Sequence, residues 1–171
     1  GYYLNPAKQE VRETIIKGVE EIVRNYAVDG IHFDDYFYPT SESSFDKDSY
    51  QEYIDTLDEE CNPLVLPDWR CANINKLISG VYAKVHSLTD QVTFGVSPQG
   101  NINNDLEMGA DVYSWCKTTG YVDYICPQIY VNFDHALLPY DNTAKEWKKL
   151  VTNKEIKYYI GLAVYKAGSE E

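Results

Sequence analysis

The strongest constraint on the fold is an alternation of amphipathic segments and short apolar runs along the whole chain. Helix-like periodicity covers residues 5–26, 68–88, 110–119 and 143–151, and strand-like runs follow at 30–33, 92–97, 121–130 and 158–165. Helices that alternate with nearly continuous apolar strands are typical of a parallel sheet covered by helices. The sequence therefore predicts a single α/β domain over residues 1–171.

Bulk properties exclude several classes of function. The net charge of −12 argues against a nucleic-acid partner, because binding a phosphate backbone needs clustered Lys and Arg. No apolar run approaches the ~20 residues that would span a bilayer, so we predict no membrane-spanning segment. The four cysteines contain no C-x-x-C pair, and we predict no metal site and no organic cofactor.

Residues 29–36 (DGIHFDDY) predict a short strand that ends in two carboxylates. A turn signal opens the segment, and strand alternation places His32 and Asp34 on the side opposite to the bulky apolar residues. Adjacent carboxylates at the end of an apolar strand indicate chemistry, since α/β folds place their sites at the C-terminal ends of parallel strands. Asp34 and Asp35 are therefore the candidate catalytic residues.

Polar side chains also occur at or near the expected ends of the later strands. In a barrel the side that carries them would face inward and would form a polar pocket at one mouth. The candidate substrate-binding residues are His32, Tyr36, Ser97, Gln99, Gln128, Tyr130 and Tyr165. Alternative roles stay open: His32 as a core histidine, and Gln128 and Tyr130 as interior hydrogen-bonding residues.

Two neighbouring acids favour a specific chemistry. Mutual repulsion raises the pKa of one carboxyl and gives a proton donor beside a base or nucleophile, the pair that glycoside hydrolysis requires. Consecutive strand residues point opposite ways, however, so Asp34 and Asp35 face one substrate only if the strand ends between them. Otherwise the second acid is Asp105, Glu107, Asp134 or a residue outside this chain.

A long polar stretch, residues 39–67, follows the carboxylates and includes a short helix-like segment near 50–57. Loops of this length in a compact domain are usually functional or disordered, and this position favours an excursion that faces the substrate. Asp68 is the predicted N-cap of the next helix. Arg70 either anchors the start of that helix or reaches the carboxylates.

Five motifs together resemble the bacterial glycosyl-hydrolase-like ten family, in order and over most of the chain. They are YLNP at 3–6, DGIHFDDYFYP at 29–39, DWR at 68–70, FGVSP at 94–98 and DYICPQIY at 123–130. The resemblance implies a (β/α)8 TIM-barrel of the glycosidase type, present here as a partial barrel of about strands four to seven. It also implies an extracellular or cell-envelope location, often as a lipoprotein.

The leading hypothesis is therefore a glycoside hydrolase that acts on a polysaccharide or peptidoglycan-type glycan, with Asp34 or Asp35 as a catalytic carboxyl and His32 orienting the acid. One alternative is a non-catalytic carbohydrate-binding barrel of the cell envelope, and a weaker one is a structural envelope protein. A partial barrel exposes two unpaired sheet edges. We therefore expect the isolated chain to be inactive and to self-associate through these edges.

Overall fold

The computed structural model describes residues 3–35 and 37–168, so Tyr36 lies outside the described residues. Within these ranges the chain forms one parallel sheet of four strands in sequence order. The strands are β1 (Gly30–Asp34), β2 (Thr93–Ser97), β3 (Tyr124–Ile125) and β4 (Lys157–Tyr158). This arrangement confirms the mixed α/β class and the parallel sheet.

Helices precede, separate and follow the strands. They are α1 (Gln9–Asn25), α2 (Lys47–Asp55), α3 (Leu66–Leu88), α4 (Ile102–Glu107), α5 (Val112–Lys117) and α6 (Tyr140–Leu150), with a 3-10 turn at Val164–Lys166. In the part of the chain that is described, none of them is long and apolar enough to cross a bilayer.

The register of the sheet brings all the strand ends to one edge. Gly30 pairs with Thr93 and Asp34 pairs with Ser97, so β1 and β2 are in contact over their full lengths. Beyond the regular strands, isolated bridges join Gln128 to Gln99 and to Gly161, which extends the same edge across all four strands.

The core lies between the sheet and the helices. Buried apolar residues recur along α3 at helical spacing, and every second residue of the strands packs into the same core. From α3 these residues include Ile74, Ile78, Val81 and Val85, and from the sheet Ile31, Phe94, Val96 and Ile125. The predicted helix-facing side is therefore correct for β1 and β2. In the last predicted strand, 158–165, we also expect the bulky residues Leu162 and Val164 to face the helices, and this is wrong, because they are 57% and 75% exposed.

Several predicted boundaries differ from the structure. Asp68 is not an N-cap: α3 begins at Leu66, because Pro67 fits the first helical turn, where no N–H acceptor is needed. Residues 121–130 and 158–165 form much shorter strands than predicted. Pro98 and Pro127 lack an N–H group, so the ladder continues past them through their carbonyls alone, which accept from Gln128 and Gly161.

Arg70 makes the most hydrogen bonds between residues 39–67 and the rest of the domain, with added contacts such as that of Asn5 with Ser49. The Arg70 side chain is 2% exposed, and its guanidinium donates to both carboxylate oxygens of Asp46, at 2.9 and 2.6 Å. It also donates to the backbone carbonyls of Thr40 and Glu42. Arg70 therefore anchors this excursion on α3, and the excursion contains the ordered helix α2.

The buried ion pair yields a stability prediction. Arg70→Met leaves the Asp46 carboxylate buried without its cation, and the expected loss in the free energy of unfolding is about 3–5 kcal/mol. Urea unfolding of the chain at neutral pH measures it. Arg24→Met, which removes an exposed partner of Glu20, is the matched control and should leave the midpoint nearly unchanged. Equal effects of the two substitutions would contradict this reading of Arg70.

Candidate functional site

Three strand ends are tied together around Asp34. Asp34 is the last residue of β1 and is exposed, and its Oδ1 accepts a hydrogen bond from Gln128 Nε2 at 2.5 Å. The same amide nitrogen donates to the Ser97 carbonyl at 3.1 Å. Ser97 Oγ in turn donates to the Cys126 carbonyl at 2.9 Å. These bonds place the Asp34 carboxylate in a defined position at the C-terminal edge of the sheet.

Asp35 lies immediately beyond β1 and has a different environment. Its backbone N–H donates to Asp34 Oδ1 at 3.0 Å, and its partly buried side chain lines a cavity of about 300 Å³. Burial, and secondarily the charge of Asp34, raise the pKa of Asp35 to about 6. Because the strand ends at Asp34, the alternation rule does not force the two side chains onto opposite faces of the sheet.

The cavity brings together four of the predicted site residues: Asp35, Gln99, Gln128 and Tyr130. Gln99 Oε1 accepts from Asn104 Nδ2 at 3.4 Å, and the Tyr130 ring lies edge-on to Tyr165 with 6.3 Å between centroids. Polar amides and a partly exposed aromatic ring thus surround the carboxyl group. This combination suits a polar ligand that also has an apolar face.

Three other predicted binding residues, His32, Ser97 and Tyr165, do not line this cavity. His32 is exposed, so it is not a core histidine. Its Nδ1 is 2.9 Å from the Tyr124 hydroxyl, and its role in orienting the acid stays a prediction. Ser97 is buried, with its hydroxyl bonded to backbone, while Tyr165 is largely exposed in the 3-10 turn.

Three acidic residues outside β1 were candidates for the second acid, and the structure separates them. Glu107 and Asp134 are exposed, whereas Asp105 is 2% exposed and accepts from the Gln99 backbone N–H at 2.9 Å. Burial, opposed by that hydrogen bond and reinforced by the charge of Asp35, raises the pKa of Asp105 to about 8.

Three polar lining residues, Asn101, Asn104 and Thr143, are missing from the sequence prediction. Asn101 and Asn104 come from the asparagine-rich segment NINN at 101–104, separated from the end of β2 by three residues, a signal that was present in the sequence. Thr143 lies in the first turn of α6, and the packing of that helix brings it to the cavity.

A second and larger cavity adjoins the first. It measures about 690 Å³ and shares residues 129–131 with the smaller one. Aromatic rings from Tyr130, Phe133 and Tyr140 line it, and Phe133 is well exposed.

Among the described residues, no three His, Cys, Asp or Glu side chains converge as a metal ion would need.

The arrangement offers a proton donor beside a hydrogen-bonded carboxylate. Asp35 exists in both protonation states near pH 6, while Asp34 receives two hydrogen bonds at one oxygen. Two acids with unequal environments are the usual basis for assigning acid and base roles.

Comparison with known proteins identifies relatives along nearly all of the chain. YngK of Bacillus subtilis (strain 168), named a glycosyl hydrolase, is 33% identical over 183 residues, covering 96% of this chain and 35% of that protein. DigH of Escherichia coli (strain K12), also named a glycosyl hydrolase, is 36% identical over 184 residues, covering 98% of this chain and 40% of that protein.

The chain thus spans only 35–40% of the length of these curated relatives. The sequence model of the family described as glycosyl hydrolase-like 10 matches residues 1–171, the whole chain. The match confirms the resemblance carried by the sequence motifs. On this basis the chain belongs to the glycosyl hydrolase-like 10 family.

Proposed function

We propose that this chain contributes the catalytic carboxyls of a glycoside hydrolase that cleaves O-glycosidic bonds in a polysaccharide or peptidoglycan-type glycan. The observation that carries the proposal is the pair of carboxyls in unequal environments, Asp34 exposed and Asp35 partly buried in a polar cavity. Family membership and the names of the relatives support the same reaction class.

Each carboxyl takes a separate role. Asp35, with its pKa raised to about 6, is the general acid that protonates the leaving glycosidic oxygen. Asp34, held by Gln128 and by the Asp35 backbone N–H, is the base or nucleophile. The scissile bond then lies between the open side of Asp34 and the cavity that contains Asp35.

The residues that line the cavity beside Asp35 supply groups that bind sugars. The amides of Gln99, Asn104 and Gln128 offer donors and acceptors for hydroxyl groups. Tyr130 offers a ring against which the apolar face of a pyranose stacks, and Tyr165 supports it edge-on. Tyr36, from the sequence motif, completes the proposed set.

The chain is proposed to form about strands four to seven of a (β/α)8 barrel. In support of this, β1 and β4 lie at the two ends of the described sheet, and Leu162 and Val164 are apolar but exposed, as unpartnered barrel elements would be. The isolated chain is then inactive and self-associates through these edges. An extracellular or cell-envelope location is proposed with it, on the family resemblance alone.

Substitution of the carboxyls tests the mechanism in the intact protein that carries this chain. Asp35→Asn and Asp34→Asn each remove one proton-transferring or nucleophilic group, and each should lower kcat at least about 100-fold. The measurement is the release of reducing ends from polysaccharide and from purified glycan strands. Asp134→Asn, an exposed carboxyl outside the cavity, is the control. Normal turnover by the Asp34→Asn, Asp35→Asn double variant would overturn the mechanism.

The same assay separates hydrolysis from binding alone. A non-catalytic carbohydrate-binding barrel would bind an oligosaccharide in calorimetry, lose affinity on Tyr130→Ala, and release no reducing ends. A structural envelope protein would bind no glycan in either measurement.

The pH dependence of hydrolysis follows from the protonation of Asp35. A general acid acts only while protonated, so kcat/KM should fall as the pH rises through about 6. Asp34→Asn removes the negative charge that helps to raise this pKa, so the residual activity of that variant should begin to fall at a lower pH. Rate profiles from pH 4 to 8 measure both. A falling limb that stays in place in Asp34→Asn would contradict the coupling of the two groups.

A further inference from the structure

Asp105 is a buried carboxyl that the proposed mechanism does not use. It lies on α4 and is 2% exposed, and its Oδ1 accepts from the Gln99 backbone N–H at 2.9 Å. Its second oxygen, Oδ2, is also buried and has no hydrogen-bond partner in the described part of the chain. A half-satisfied buried carboxyl is costly, and it needs an explanation.

Comparison with Asp46 shows what is unusual about Asp105. Both are buried aspartates, but Asp46 is neutralised by two hydrogen bonds from Arg70. Across residues 3–35 and 37–168, none of the ion pairs includes Asp105. Without a cation, the less costly form of a buried carboxyl is the protonated one.

The titratable groups that act on Asp105 are also acidic. Asp35 faces it from the end of β1 and raises its pKa, and the Cys116 thiol on α5 has its own pKa raised in part by Asp105. Glu107, on the same helix, points to solvent. Burial and the charge of Asp35 therefore favour the uncharged acid, and the hydrogen bond from the Gln99 N–H, which favours the carboxylate, only partly offsets them.

We propose that Asp105 is a positioning residue of the cleft, an uncharged carboxylic acid that fixes the Gln99 segment beside Asp35. The Gln99 side chain lines the cavity while its backbone N–H is held by Asp105. Only the catalytic consequence of this proposal rests on the proposed function. The protonation and the anchoring are properties of the chain itself.

The link between the two acids is asymmetric. Asp35 ionises first, and its negative charge then disfavours ionisation of Asp105. Asp35→Asn should therefore lower the pKa of Asp105. Asp105→Asn exchanges one uncharged group for another, so it should leave the pKa of Asp35 near 6.

Carboxyl 13C NMR titration of the intact protein that carries this chain, without substitutions, tests the protonation directly. The expected result is an Asp105 signal that titrates near pH 8 and moves to lower pH in Asp35→Asn. An Asp105 signal that is already ionised at pH 6 in the protein without substitutions would overturn the proposal. No substrate and no Asp105 variant are needed for this measurement.

Stability gives a second readout. A carboxyl with a raised folded-state pKa makes the folded protein bind more protons than the unfolded chain, so stability falls as pH rises toward that pKa. The contribution of Asp35 ends near pH 6, so between pH 6 and 8 Asp105 contributes a downward slope that Asp35 does not. Urea midpoints of Asp105→Asn should lose this slope, and those of Glu107→Gln, on the same helix, should keep it. An unchanged slope in Asp105→Asn would reject the inference.

Hydrolysis by the intact protein tests the positioning role. Asp105→Ala removes the acceptor of the Gln99 N–H and should lower kcat/KM at least about 10-fold, whereas Asp105→Asn, which keeps that acceptor, should restore most of the loss. Equal rates for Asp105→Ala and the unmodified protein would overturn the role. A protein that hydrolyses no glycan at all refutes the proposed function instead, and the two titrations still decide the state of Asp105.

Discussion

The parallel register of β1 and β2 is the constraint on which the cleft depends. Five consecutive pairs, from Gly30 with Thr93 to Asp34 with Ser97, bring both strands to an end at the same level. A shift of one residue would turn Asp34 toward the helices and bury a charge in the core. The Gln128 amide bridges Asp34 and the Ser97 carbonyl, and it can do so only because the third strand ends at this level too.

The three acidic residues at and beside the cavity differ in burial, and none of them forms an ion pair in the described part of the chain. Asp34 is exposed, Asp35 is partly buried and Asp105 is buried, and the raised pKa values of the latter two follow that order. Asp46 is as inaccessible as Asp105, yet it serves only structure, because the Arg70 guanidinium satisfies both of its oxygens. A buried aspartate thus stays paired where a cation meets both of its oxygens, and its pKa rises where no cation meets it.

The hydrophobic pattern of the sequence predicted those elements whose residues bury one face. The alternation in β1 and β2 and the apolar spacing in α3 reflect burial on one face, so the sheet, its direction and the edge that carries Asp34 and Gln128 followed from the sequence. The later strands were overestimated, because apolar residues such as Val164 resemble a strand whether or not a partner covers them. α4 was missed, since six residues are too few to show a helical period. The partner of Arg70 and the burial of Asp105 depend on contacts between distant segments, which spacing does not encode.

Two consecutive acids can serve one site because the strand stops between them. Inside a strand, neighbouring side chains point to opposite faces, and one of these carboxyls would be lost to the helix side. β1 ends at Asp34, whose own carboxylate accepts the Asp35 backbone N–H, so the first acid helps to hold the chain in the turn that directs the second into the cavity. The residue that carries the exposed carboxylate therefore also helps to hold the backbone of the partly buried one. For the same reason, substitution of Asp34 alters both the charge beside Asp35 and the backbone that carries it.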